Sequence, residues 1–234
     1  REDAAGNGGS VQFSDTDDLT IGTVSTLDAF TAFSGIDVTN NVTLCAETDV
    51  TITQAITTRN AATITANPTD IVRIHAHTGN VTQLETAPIT TAALGVVAGG
   101  NIDLSSDDND VEILAAAAGG DISFEDATDL TIGSVTADGC FPGVVGLTAD
   151  NLTLCVGGNL LVTQDITQAI PVTGDLRLHA FGNITQAANA EITAHRLGLR
   201  SDTGSITLTE ANDVNLLAAQ TLGALDLADP NTRA

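Results

Sequence analysis

The chain contains no tryptophan, tyrosine or methionine, and its seven basic residues are all arginine, set against thirty acidic ones for a formal charge of −23. Nucleic acids and anionic membranes are bound by lysine and arginine, so a chain this acidic is a poor partner for either. Six phenylalanines are the only aromatic residues, which leaves little for the stacking platforms of a polysaccharide cleft or for the aromatic signature of propeller blades. The apolar runs fall well short of the ~20 residues that a membrane-spanning helix needs. Three cysteines occur (Cys45, Cys140 and Cys155), without a CxxC pair or a Cys/His zinc spacing. There is no GxSxG, HExxH, P-loop or GxGxxG sequence, so the signatures of nucleophilic, metal-hydrolytic and nucleotide chemistry are all missing and no enzyme activity is expected.

What the chain does contain is one sequence written twice. Gly8–Val24 returns as Gly119–Val135, Asn41–Thr57 as Asn151–Thr167, Val72–Gln83 as Leu176–Gln186, and Asp110–Ala116 as Asp213–Ala219. The unit is about 105 residues, longer than a common helical repeat, and its two copies cover approximately residues 8–118 and 119–227.

Inside each copy runs a finer beat. Short stretches alternate apolar and polar residues, the two-residue period of a half-buried strand. Examples are VQF (11–13), LTI (19–21), VTL (42–44), TIT (63–65), VRI (72–74), IDL (102–104), ISF (122–124), LRL (176–178) and ITL (206–208). Their Thr, Val and Ile favour strands. Ala115–Ala118 is the best local helix candidate, but it ends at Gly119-Gly120 and reads as strand plus turn. An aspartate or asparagine precedes the second strand of each pair, as at Asp18, Asp49, Asn80, Asp110, Asp129, Asn159, Asn183 and Asp213. These residues tolerate left-handed backbone and bond to nearby main chain, which suits a tight corner. Two or three short strands with corners every ~20 residues make one coil of a solenoid.

The pattern therefore predicts an all-β fold, a right-handed parallel β-helix (β-solenoid) of about 11–12 coils of ~20 residues, forming a rod of roughly 50–55 Å. Residues 1–234 read as a single elongated domain, and the chain as a portion of a longer repetitive protein. A sandwich of hairpins would not explain the recurring corner, and a propeller needs blades of ~40–50 residues.

Five sets of residues bear on function. Asp15, Asp17 and Asp18, Asp107, Asp108 and Asp110, and Glu125, Asp126 and Asp129 form acidic corners. Stacking would bring the second and third sets within ~5 Å. Carboxylates that close repel, and Ca²⁺ would relieve the repulsion; solvated turn residues account for the same pattern. Cys140 and Cys155 are near enough in sequence for a disulfide outside the cell. Thr20, Thr43, Thr51, Thr131, Thr153 and Thr207 should point outward, an array that would suit ice or mineral, though Arg73, His75, Arg177 and His179 interrupt it on the same outward side. Asn41, Asn80, Asn151 and Asn183 head Asn-x-Thr sequons. A β-helix also has open strand edges at its two ends, which places Val11, Phe13, Leu222, Leu225 and Leu227 at axial contacts, either with adjoining repeats or with another copy head to tail.

The motifs LTIGTV and LTIGSV, GNITQ, GNID, GSITLTEANDV and NLTLCVGGNL resemble the coils of filamentous-haemagglutinin-type proteins, large secreted bacterial surface proteins with β-helical shafts. The likeness runs from Gly8 to about Asp226. It implies an extracellular structural element, the shaft of a bacterial adhesin or the subunit of a surface filament. A carbohydrate-active β-helix enzyme or tail-spike-like glycan binder is the alternative, and an ice- or mineral-binding surface a further one. No required cofactor is implied.

Overall fold

A computed structural model describes residues 10–58, 70–169 and 173–228. The strand expected at 63–65 lies outside the described residues. Among them there is no helix, and one 23-stranded sheet pairs in parallel throughout. The alternating segments form strands where the pattern puts them, including Leu19–Ile21, Ile102–Leu104, Leu130–Ile132 and Ile206–Leu208. Ala115–Ala118 closes the strand Asp110–Ala118. The arrangement is that of a parallel β-helix, each strand lying on its counterpart one coil earlier.

The alternation explains the core. Val42, Leu44, Val72, Ile74, Val50, Ile52, Ile102 and Leu104 point inward and are buried. Aliphatic neighbours stack on one another along the axis, for example Val42 on Val72 and Leu44 on Ile74. One continuous cluster of such residues runs from Ile21 to Leu208, so each coil covers the apolar face of the next.

The corners work differently from the expectation. Among the described residues only Asp28 and Asn189 are non-glycine residues with positive φ, so the corner aspartates and asparagines are not there for left-handed backbone. Asp18, Asp49, Asn80, Asp129, Asn159 and Asn183 instead each accept a hydrogen bond from the main chain of the following coil. The Asp49 amide donates to Asp18 Oδ1 at 3.1 Å, Asn80 to Asp49 at 2.7 Å, Asn101 to Asn80 at 2.8 Å, Asp121 to Asn101 at 2.9 Å, Asn151 to Asp121 at 3.0 Å and Asp175 to Asn151 at 2.9 Å. A second ladder climbs through Asp129, Asn159, Asn183 and Ser205. The glycines beside the corners leave room for these oxygens: a Cβ on Gly120 would overlap Asn101 Oδ1. Corner amides that would otherwise lack partners are thereby satisfied.

The ladder also shows that coil length is not uniform. The corner-to-corner separation is 31 residues at Asp18–Asp49 and again at Asp49–Asn80, then 21 and 20, then 30 and 24. The stack is therefore shorter than eleven or twelve coils. One column runs through the strands that begin at Leu19, Val50, Val81, Ile102, Ile122, Leu152, Asp175, Ile192 and Asp213. Ile122 is the sequence copy of Val11, yet it sits in the column of Leu19. The second copy is therefore turned by one face relative to the first.

The two coils that carry Thr23–Val24 and Ser134–Val135 are long because each holds an antiparallel hairpin. Thr23–Val24 pairs with Phe33–Ser34, and Ser134–Val135 with Val144–Val145. The bridges Leu27–Phe30 and Asp138–Phe141 close their tips. These are copies of each other, and neither is an alternating strand that the sequence pattern marks.

Candidate functional site

The second hairpin folds back along the outside of the first copy. Its Val135, Phe141 and Val144 form a small second core with Ala93 and Ala115, against which Ile71, Val97, Ile113 and Ala117 also pack. These are outward positions of strands whose inward residues build the main core. The seat exists because its centre is small: a Cβ on Gly95 would lie 2.7 Å from Val135 Cγ1 and 2.8 Å from Phe141 Cζ. Further along, Arg73 Nε donates to the Thr136 carbonyl at 2.9 Å, and its Nη1 stands 3.6 Å from Asp138. Burial holds the Arg73 guanidinium below its ordinary value, opposed by the Asp138 charge. His75 Nδ1 lies 3.0 Å from the Cys140 carbonyl; a carbonyl only accepts, so that ring nitrogen carries the hydrogen. The tip glycine, Gly139, lies against Gln12 of the first coil.

Cys140 closes the clasp by a disulfide to Cys45, 95 residues away, with the Cα atoms 6.3 Å apart. The pairing expected from sequence, Cys140 with Cys155, is not made; Cys155 is a free, half-buried thiol. The reason is the turn by one face. The hairpin points back over the column containing Cys45, whereas Cys155 lies forward on the column of Ile122–Asp126 and Asp175–Ala180. Burial and then the Glu125 charge push the Cys155 thiol up.

The same face exists a second time, uncovered. Register aligns Thr153 with Thr43, Cys155 with Cys45, Arg177 with Arg73, His179 with His75, Gly198 with Gly95 and Ala218 with Ala115. In the first copy Thr43, Cys45, Arg73 and Ala115 are buried; Arg177 and Ala218 are exposed. In the second copy these residues line an open groove of about 440 Å³. Arg196 and Arg200 flank it where the covered face has Ala93 and Val97. Arg177 and Arg196 pair with Asp175. His179 Nε2 is 3.0 Å and Arg200 Nε 2.8 Å from Asp202. The His179 hydrogen bond first, and Arg200 after it, hold the Asp202 carboxyl low. Arg73 and His75 thus point outward as expected but lie under the hairpin; Arg177 and His179 do not.

Of the acidic corner residues, Asp15, Asp18, Asp126 and Asp129 accept hydrogen bonds from main-chain amides. Asp18 accepts from Thr48 and from the Asp49 amide, and these two bonds, in that order, lower its pKa. Asp15 accepts from the nearby Asp17 amide. Asp107 and Asp108 are exposed in their turn. Asp110 and Asp126 flank one hydroxyl: Thr128 Oγ1, with a single hydrogen to donate, lies 3.1 Å from Asp110 Oδ1 and 3.2 Å from Asp126 Oδ2. Asp126 is 4 % exposed, and burial raises it to about 6 against its bonds from Thr128 and Val111. Glu125 sits beside Cys155, and Asp129 begins the second ladder. Among the described residues no group of three or more His, Cys, Asp or Glu is placed to hold a metal ion. The sequons Asn80, Asn151 and Asn183 each donate through Nδ2 to the preceding rung.

Both axial candidates lie on terminal coils. Val11–Ser14 pairs only with Val42–Ala46, and Leu225–Leu227 only with Ile206–Leu208, among the described residues; Leu222 is exposed in the turn before the latter.

No protein-family model, curated protein or solved structure matches the chain. What defines its class is the stack itself, a parallel β-helix clasped by a disulfide-bonded hairpin.

Proposed function

We propose that the protein is an extracellular structural element, a subunit of a self-assembling filament or the shaft of a surface adhesin. The observation that carries this reading is the unbroken axial bonding. Strand columns and the Asp/Asn ladder run through both copies, and a strand with one unpaired side stands at each end of the described stack. Such an edge is a template for another strand, and a head-to-tail contact of this kind propagates into a filament. The Cys45–Cys140 disulfide supports an oxidising compartment, where such bonds persist. The charge of −23 keeps rods apart laterally while leaving their ends free to meet.

The test is negative-stain electron microscopy of the purified chain beside a Ser14→Pro variant. The amides of Val11 and Asp15 bond to Asn41 and Cys45, so by alternation the Ser14 amide faces the open side. Proline there removes an axial donor without removing one that folds the coil. Filaments of the unaltered chain that shorten or vanish in the variant are expected. Filaments equally long in both would rule out axial strand pairing at this end.

A further inference from the structure

We propose that the open groove of the second copy receives the 23–34 hairpin of a second molecule, in the manner in which the first copy holds the 134–145 hairpin; this rests on the filament reading and specifies its joint. The covered face and the groove are copies, and so are the two hairpins. One of each pair is already joined inside the chain, and the other two are unpartnered among the described residues. Phe141 is 1 % exposed and Phe30 54 %; Val135 is 3 % and Val24 59 %; Val144 is 9 % and Phe33 52 %. The first hairpin therefore holds in solvent the same three positions that the second hairpin buries. A cluster of exposed large apolar side chains of this kind marks an interaction surface.

Its base is built as the base of the docked hairpin is. The Gly35 amide bonds to Gly22 and the Gly146 amide to Gly133. Thr53 and Thr163 hydroxyls bond to Ile21 and Ile132 carbonyls. Both tips hold a left-handed residue, Asp28 and Gly139.

The groove is ready for it. A Cβ at Gly198 would come no nearer than 3.9 Å to any atom, so the pit that Val135 and Phe141 fill at Gly95 is empty at Gly198. Charge agrees as well. Arg177 and Arg200 line the groove and Arg196 flanks it, three arginines against the two aspartates, Asp175 and Asp202, with which they pair, and the incoming hairpin brings Asp28 one position from the equivalent of Asp138. Two arginines replace Ala93 and Val97, so this joint depends more on salt than its internal counterpart.

The strand order gives the axial register. Leu225–Leu227 lies on Ile206–Leu208 as Ile122–Asp126 lies on Ile102–Leu104, and Ile122–Asp126 is the copy of Val11–Ser14. Leu225–Leu227 thus stands where the first strand of a following unit belongs; in the joint the incoming Val11–Ser14 displaces it and pairs on Ile206–Leu208 through the edge that Val11–Ser14 leaves open in the single molecule. Position 29 is alanine where the second hairpin has Cys140, so the joint lacks the disulfide, is reversible, and leaves Cys155 reduced.

The experiment restores that bond across molecules. Ala29→Cys is made in the full chain and incubated with oxidised glutathione. The glutathione disulfide takes up the two electrons as the introduced thiol and the Cys155 thiol of another molecule lose their protons and join. A ladder of dimers and longer species on a non-reducing gel is expected, with a peptide linking position 29 to Cys155 in the mass spectrum. No ladder is expected from the unaltered chain, from Ala29→Cys with Cys155→Ala, or from Ala29→Cys with Gly198→Leu, whose folding is checked by an unchanged melting temperature. If microscopy shows filaments but the ladder is absent or joins position 29 to its own counterpart, the hairpin joint is wrong and the filament reading stands. If the chain stays monomeric at high concentration and no ladder forms, both fall. A ladder linked through position 29 and Cys155 that disappears in high salt before oxidation identifies the arginine-bordered groove as the seat.

Discussion

The two copies share a sequence but not a fate. In the first, much of the outer face of the strands at Val42–Ala46, Ile71–Ala76, Ile89–Ala98 and Asp110–Ala118 is covered by a hairpin. In the second, the equivalent face is bare and alternates buried and open along Leu152–Val156 and Asp175–Ala180. The substitutions between them follow that difference. Ala93 and Val97, which must meet Phe141 and its neighbours, are Arg196 and Arg200 where no hairpin of the described chain covers them. A β-helix holds its inner positions to one rule, while an outer position obeys whatever lies on top of it.

The two copies should part most widely at their phenylalanines. Phe141→Ala should cost about 3–5 kcal/mol, as for other fully buried aromatic residues, whereas Phe30→Ala should lie within about 0.5 kcal/mol of the unaltered chain when measured as a monomer. Urea unfolding of the two variants side by side reads the difference. Equal effects would mean that the second hairpin is not seated in solution.

Next comes the clasp. Removing the Cys45–Cys140 bond by paired alanine substitution should destabilise the chain by about 2–5 kcal/mol and make it insensitive to reductant. Substitution of Cys155 should change neither property. Melting with and without dithiothreitol measures both.

The smallest effect belongs to the contact between the copies, where Asp126 sits between their coils. Its carboxyl rises from 3.8 in the unfolded chain to about 6 in the folded one, so the folded state holds the extra proton. Stability from this group is full below pH ~4 and is lost as pH climbs through 6, by at most about 3 kcal/mol. Against Asp126→Asn, the unaltered chain should lose ground steadily over that window and no further above it. A difference that does not vary between pH 4 and 7 would mean that Asp126 titrates normally.

Much of the fold was legible beforehand because its causes are local. Alternation at Leu19–Ile21 or Ile206–Leu208 is a property of three residues, and an aspartate or asparagine before a strand can be seen without coordinates. The reason for that residue could not: Asn80 is tied to Asp49 and Asn101, 31 and 21 residues away, so the corner is an axial rung rather than a local turn. The hairpins at 23–34 and 134–145 were missed because they are short and irregular. Two signals were nonetheless present, the repeated Phe30 and Phe141 and the row of small residues, Ala93, Gly95 and Ala115, where outward threonine is the habit elsewhere.

That the chain is a duplicated, parallel, aliphatic-cored solenoid followed from the order of its residues alone, because inward alternation leaves those side chains nowhere else to go. How the copies meet was settled in three dimensions. The lengths of the coils add up to a turn of one face between them, and that rotation, felt across 95 residues, joins Cys140 to Cys45 rather than to Cys155. The same rotation covers one face of the rod and leaves its copy open.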